Sequence, residues 1–174
     1  MACDPVRLIS AINLLVSNIW PFVKMFKMTV VSTPTRVMDE NIDKNIAYFL
    51  SDIGYIPRLN PGTDFQAISQ SAYFRLFKEC FLMNPERYWT GEDLLSYLKT
   101  SRTTLYRHLN KLKSMDILEE IQEGKTKKYR MRSGDILKAW NWVEVNVKMA
   151  LENYRKTVEH IWRLSRAETG RGKT

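Results

Sequence analysis

The stretch from Ser101 to Ser114, SRTTLYRHLNKLKS, concentrates hydroxyl, amide and cationic side chains on one side of a helical pattern. At about 100° per residue, Leu109 and Leu112 fall within about 40° of Leu105 and make a narrow apolar stripe. The other side carries Thr103, Arg107, Asn110 and Ser114, flanked by Thr104, Tyr106 and Lys111. Arg102 stands at the start, and Ser101 is a natural N-cap. A guanidinium matches the paired acceptors of guanine, an amide matches adenine, and threonine meets the thymine methyl or a phosphate. The N-terminus of such a helix also receives a phosphate readily. The plainer alternative is a solvated surface helix. That alternative must then account for the rest of the basic segment as well.

The chain has 174 residues and a formal net charge of +8, with a pI near 9.5. The charge is clustered. Between Leu94 and Met115 the charged residues are Lys99, Arg102, Arg107, Lys111 and Lys113. Between Gly124 and Arg132 they are Lys125, Lys127, Lys128, Arg130 and Arg132. Neither segment contains an acid, so the remainder of the chain is slightly acidic. Two such segments close in sequence are the electrostatic footprint of an acidic partner, with nucleic acid first and an anionic membrane second.

Other chemistry finds little support. The two cysteines, Cys3 and Cys80, are far apart and in no CxxC arrangement, so neither a disulfide framework nor a zinc site is expected. Cys80 reads as a buried thiol. The two histidines, His108 and His160, lack a partner at ligand spacing. There is no phosphate-binding glycine loop, no GxSxG and no HExxH. The expectation is a non-enzyme without metal or cofactor.

Five stretches frame the basic helix. Leu8 to Val23 is an uncharged run of sixteen residues. As a helix it would span about 24 Å, short of a roughly 30 Å hydrocarbon core. A packing helix is favoured over a membrane contact or a mis-assigned start at Met25 or Met28. Asp39 to Ile53 follows helical spacing and stops at Gly54. Ser69 to Asn84 reads as one helix, with Tyr73, Leu76, Phe77, Cys80 and Phe81 on its apolar side. Thr90 with Asp93 makes a box-like cap for GEDLLSYL, and a tight turn at Lys99 and Thr100 leads into the basic helix. DILEEIQ, EGKT and KKYRMR then read as strand, turn and strand.

The run YWTGEDLLSYLKTSRTTLYRHLNKLKSMDILEEIQEGKTKKYRMR resembles the winged helix-turn-helix core of prokaryotic transcriptional regulators of the ArsR, MarR and GbsR type. The segment ending SDIGYIP and the long C-terminal helix look most like the GbsR-type and related archaeal proteins. The likeness covers about residues 69–132. It implies a mainly α fold with a small β-hairpin wing, a recognition helix over Ser101–Ser114 and a wing over Glu119–Arg132 with its tip at Gly124-Lys125. Lys125, Lys127 and Lys128 would then contact phosphates, which position a protein without reading sequence. Two positions depart from the pattern: Lys99 and Asp116 stand where glycine is common. The cysteine motif of metal-sensing members is absent, which argues against metal response. Family members often carry a histidine at the position of His108, and here it is expected to pack rather than to bind a ligand.

Gly134 to Ala167 is one long helical pattern, followed by a tail over 168–174. Trp140, Val143, Val147, Leu151, Tyr154, Val158 and Ile161 form a near-heptad stripe that asks for a partner helix. The expected organisation is therefore a helical and linker region over 1–68, a DNA-binding domain over 69–132 and a dimerisation helix over 133–167. The expected molecule is a cytoplasmic homodimer reading a roughly palindromic site in double-stranded DNA. A protein-interaction scaffold, an architectural DNA-binding protein and a membrane-tethered regulator are the competing readings.

Overall fold

The structure is a computed structural model and describes residues 26–29, 40–60 and 62–171. The run Leu8–Val23 lies outside the described residues. The fold is mainly helical with one small antiparallel sheet. Helix α1 (Ile42–Asp52) starts where the Asn41 side chain accepts from the backbone N–H of Asp43 and Lys44. Its apolar side, Ile46, Ala47 and Leu50, is buried. Gly54 then takes the left-handed conformation (φ 75°) that turns the chain into Tyr55 and Ile56, both buried.

The helix expected from Ser69 to Asn84 is not continuous. It divides into α2 (Phe65–Gln70), α3 (Ala72–Arg75) and a π-helical segment (Leu76–Leu82). The break falls at Ser71, which is extended (φ −67°, ψ 147°). Its hydroxyl donates to the Ile68 carbonyl and accepts from Phe74 N–H, so the side chain replaces the backbone bonds that would carry the helix through. The wider π turn puts Leu76, Phe77, Cys80 and Phe81 inward together.

Strand β1 (Trp89–Thr90) follows, then α4 (Gly91–Leu98), α5 (Arg102–Ser114), β2 (Leu118–Glu123) and β3 (Thr126–Met131). The sheet order is β1-β3-β2. Sequence reading expected only two of these strands. β1 pairs at Trp89 with Tyr129 and at Thr90 with Lys128. Trp89 is buried, and its indole N–H donates to the Cys80 carbonyl (2.8 Å), which ties the sheet to the π segment. The β2–β3 register runs from Leu118 opposite Met131 to Glu123 opposite Thr126.

The last helix, α6 (Ile136–Arg171), has 36 residues, about 54 Å of length. Ala139 and Val143 are fully buried in the common core with Leu50, Phe77, Leu94, Leu105, Leu109 and Leu112. Trp140 and Val147 pack partly against that core. This corrects the reading of Val143 as a dimer contact, since it is taken up wholly by its own protomer; Trp140 and Val147 are taken up only in part. Beyond them the helix projects free of the body, and Leu151, Tyr154, Val158 and Ile161 are each 59–67% exposed. No helix among the described residues is long and apolar enough to cross a membrane.

Candidate nucleic-acid interface

The site is built on α5. Its predecessor α4 begins with a full capping box, Thr90 accepting from Asp93 N–H while the Asp93 carboxylate accepts from Thr90 N–H and hydroxyl. α4 ends at Lys99 in the left-handed conformation (φ 51°). Thr100 and Ser101 complete the turn, and Ser101 caps α5 by accepting from Thr104 N–H (3.1 Å). The cap engages Thr104 a second time through its hydroxyl (3.0 Å), so Thr104 is half-buried and partly spoken for.

α5 ends in a Schellman motif. Asp116 N–H donates to the Lys113 carbonyl and Ile117 N–H to the Leu112 carbonyl, with Asp116 left-handed at φ 60°. The aspartate is more than a substitute for glycine. It is buried, and its carboxylate accepts from Arg132 Nη2 (2.7 Å) and Asn146 Nδ2 (2.6 Å). Arg132 Nε also donates to its carbonyl. One residue thus joins the end of α5, the turn after β3 and α6. Its left-handed backbone was legible in the sequence; its partners were not.

With both ends fixed, Leu105, His108, Leu109 and Leu112 face the core. Ser101, Arg102, Thr103, Tyr106, Arg107, Asn110 and Lys111 all remain exposed. These are the residues expected on that face. Arg102, Arg107, Lys111 and the hairpin-tip Lys125 form no ion pair with any described residue. Lys27, which sequence reading missed, joins them. Its N–H donates to the Ser114 carbonyl (2.9 Å), laying the segment 26–29 against the end of α5. Partial burial, then Arg107 and Lys27, lower the Lys111 ammonium below the ordinary lysine value. Like charges held together without a counterion favour an anionic ligand.

Tyr106 is 37% exposed and leans toward α4. A Cβ on Gly91 would stand 2.5 Å from its hydroxyl oxygen. It also contributes to holding the Lys127 ammonium above its usual value, behind the larger effect of Glu120. Tyr106 therefore lies between α5, the start of α4 and the hairpin.

The hairpin is less cationic in space than in sequence. Glu120 takes both Lys127 (2.8 Å) and Lys113, Glu123 takes Lys128, and Glu119 takes Arg130. Against the opposing effect of its partial burial, Glu120 is held below the usual carboxylate range by Lys113 and Lys127. The segment free of acids along the chain is paired with acids across the ladder. Of the three expected phosphate contacts, Lys125 alone stands apart from this ion-pair network.

His108 is buried between the rings of Tyr55 and Tyr73, at 5.5 and 5.6 Å between centroids. Arg107 Nη2 lies 3.5 Å from its Nε2. A guanidinium can only donate, so any hydrogen bond across this contact has Nε2 as its acceptor. Nδ1 is buried with no partner among the described residues. Burial first, then Arg107 and Lys111, pull the imidazole down to about 4. No cluster of three His, Cys, Asp or Glu suited to a metal ion occurs among the described residues.

Comparison of the chain with known protein families, with curated proteins and with solved structures finds no match.

Proposed function

We propose that this chain is a sequence-specific, DNA-binding transcriptional regulator of the winged helix-turn-helix kind. It acts as a homodimer on a roughly palindromic site, in the cytoplasm. The observation that carries the reading is the solvent face of α5. Its six exposed residues and the exposed cap Ser101 donate hydrogen bonds or carry positive charge, none is acidic, and the capped turn before it and the hairpin after it flank that face.

In this reading α5 enters the major groove. Thr103, Arg107 and Asn110 meet base edges, with Tyr106 against the backbone or a thymine methyl. Ser101, Arg102, Thr104 and Lys111 hold phosphates near the helix N-terminus and along its flank. The hairpin is the wing, and Lys125 at its tip contacts the backbone. Lys127 and Lys128 reach phosphates only by exchanging their glutamate partners, so they contribute less than their number suggests. No catalytic step is assigned to the chain.

The test is retention of genomic DNA fragments by the full chain, with sequencing of what is retained. A short near-palindromic motif that disappears with Arg107→Ala supports the reading. Salt-sensitive retention without a motif would replace it with an architectural role. Absence of retention would favour a protein-interaction scaffold.

A further inference from the structure

Two apolar features of the structure lie end to end on α6. The first is a groove of about 740 Å³ between α1 and the root of α6, lined by Phe49, Ile53, Trp140, Val147 and Met28 among others. The second is the exposed stripe on the projecting half, Leu151, Tyr154, Val158 and Ile161. They belong to one face. Trp140, Leu151 and Trp162 recur at steps of 11 residues, as do Val143 with Tyr154 and Val147 with Val158. An 11-residue repeat, unlike a heptad, drifts slowly in the right-handed sense along a helix, so the face stays continuous from the groove to the stripe.

We propose that a second copy of this chain covers both features at once. Two α6 helices pair antiparallel about the turn at Ala150 and Leu151, and the projecting half of each copy lies in the groove of the other. This deepens the homodimer of the proposed function and rests on that part of it. In this register Val147 meets Tyr154, Trp140 meets Ile161, and the exposed Leu137 meets the exposed Leu164. The contact is self-complementary, as a two-fold interface must be.

Charge favours the same orientation. One flank of the stripe carries Glu144 and Lys148, which border the groove and pair with each other (3.5 Å), and farther along Glu152 and Arg155, paired along the helix with Lys156 and Glu159; all are exposed and free to exchange partners. Antiparallel helices bring like flanks together. Glu144 of one copy then faces Arg155 of the other, and Lys148 faces Glu152. A parallel pair would set this charged flank against the opposite one, where Asn146, Ala150, Asn153 and Thr157 carry no charge.

The test is disulfide mapping on the full chain with Cys3→Ser, under mild oxidation. Leu151→Cys, beside the two-fold axis, is expected to cross-link to itself. Val158→Cys is not, because its two copies lie about 22 Å apart along the helices, beyond the reach of a disulfide. A mixture of Glu144→Cys and Arg155→Cys chains is expected to give a cross-linked heterodimer that neither gives alone. Efficient self-linkage of Val158→Cys would overturn the proposal in favour of a parallel pair. A monomer in sedimentation would overturn it too, and would leave the groove to the chain's own Leu8–Val23 run or to a small apolar ligand. DNA retention by the same chains separates the two claims. Intact cross-links without DNA binding would sink the regulator reading alone. DNA binding by a parallel dimer would sink this inference alone, and DNA binding by a monomer would sink it together with the homodimer of the proposed function while leaving DNA recognition standing.

Discussion

The hydroxyl of Tyr106 occupies the space that a side chain on Gly91 would need, with a Cβ there only 2.5 Å from its oxygen. Gly91 is the first residue of α4, and Tyr106 is on the exposed face of α5. The missing side chain on one helix thus sets where a candidate contact on the next can rest.

Gly91→Ala is therefore expected to separate stability from binding. The clash is with the free end of a side chain that can swing outward, and alanine is the better helix former by about 1 kcal/mol. Urea unfolding should shift by no more than about 1 kcal/mol in either direction. DNA affinity should fall, because Tyr106 is displaced toward the ligand. Unchanged affinity would mean that Tyr106 takes no part in the interface.

Salt dependence should distinguish the wing lysines. Lys125→Ala is expected to reduce the slope of log affinity against log salt by about one unit, the loss of one phosphate contact. Lys127→Ala should reduce it by less, because Glu120 already holds that ammonium at 2.8 Å. Equal slopes for the two variants would show that the Glu120 pair opens fully on binding.

Stability should fall on mild acidification because of His108. Its folded-state value of about 4 lies below the 6.5 of the unfolded chain. The unfolded chain therefore takes up a proton first as pH drops. The contribution of the neutral ring is complete above pH 6.5 and is lost toward pH 4, on the order of 2–3 kcal/mol. His108→Leu should flatten this part of the profile and lose less stability between pH 7 and pH 4.5 than the unaltered chain. A wild-type profile that is flat from pH 7 to 4.5 would contradict the buried neutral assignment.

Asp116 allows its two roles to be measured apart. Asp116→Ala leaves Arg132 and Asn146 without their shared carboxylate and keeps a β-carbon in the left-handed region. The expected cost is about 3–5 kcal/mol in urea unfolding. Asp116→Gly loses the same bonds but relieves the backbone, and should be less costly by about 1 kcal/mol. If the two variants are equally destabilised, the left-handed backbone at this position carries no strain.

The parts of this molecule that the sequence discloses are those written in short-range pattern. The apolar stripe of α5, its Ser101 cap and the Gly124 turn follow from residues within a few positions of one another. What stayed hidden depends on distant partners. β1 has two residues and exists only because Tyr129 and Lys128 lie opposite. The charge of Lys127 and Lys128 is answered by glutamates that only the β2–β3 register brings near. Asp116 meets Asn146 across 30 positions. The break at Ser71 turns on one hydroxyl choosing the backbone, against an apolar pattern that reads straight through it. The stripe on α6 was legible, but which of its residues serve the protomer depends on where α1 packs.

The most direct measurement of the central claim is selection of genomic DNA by the full chain and by Arg107→Ala, at two salt concentrations. The account predicts a short, near-palindromic motif for the unaltered chain. It predicts a loss of about 1–3 kcal/mol and a relaxed sequence preference for the variant, with similar dependence on salt. If Arg107→Ala retains the same fragments with the same affinity, α5 is not the helix that reads DNA.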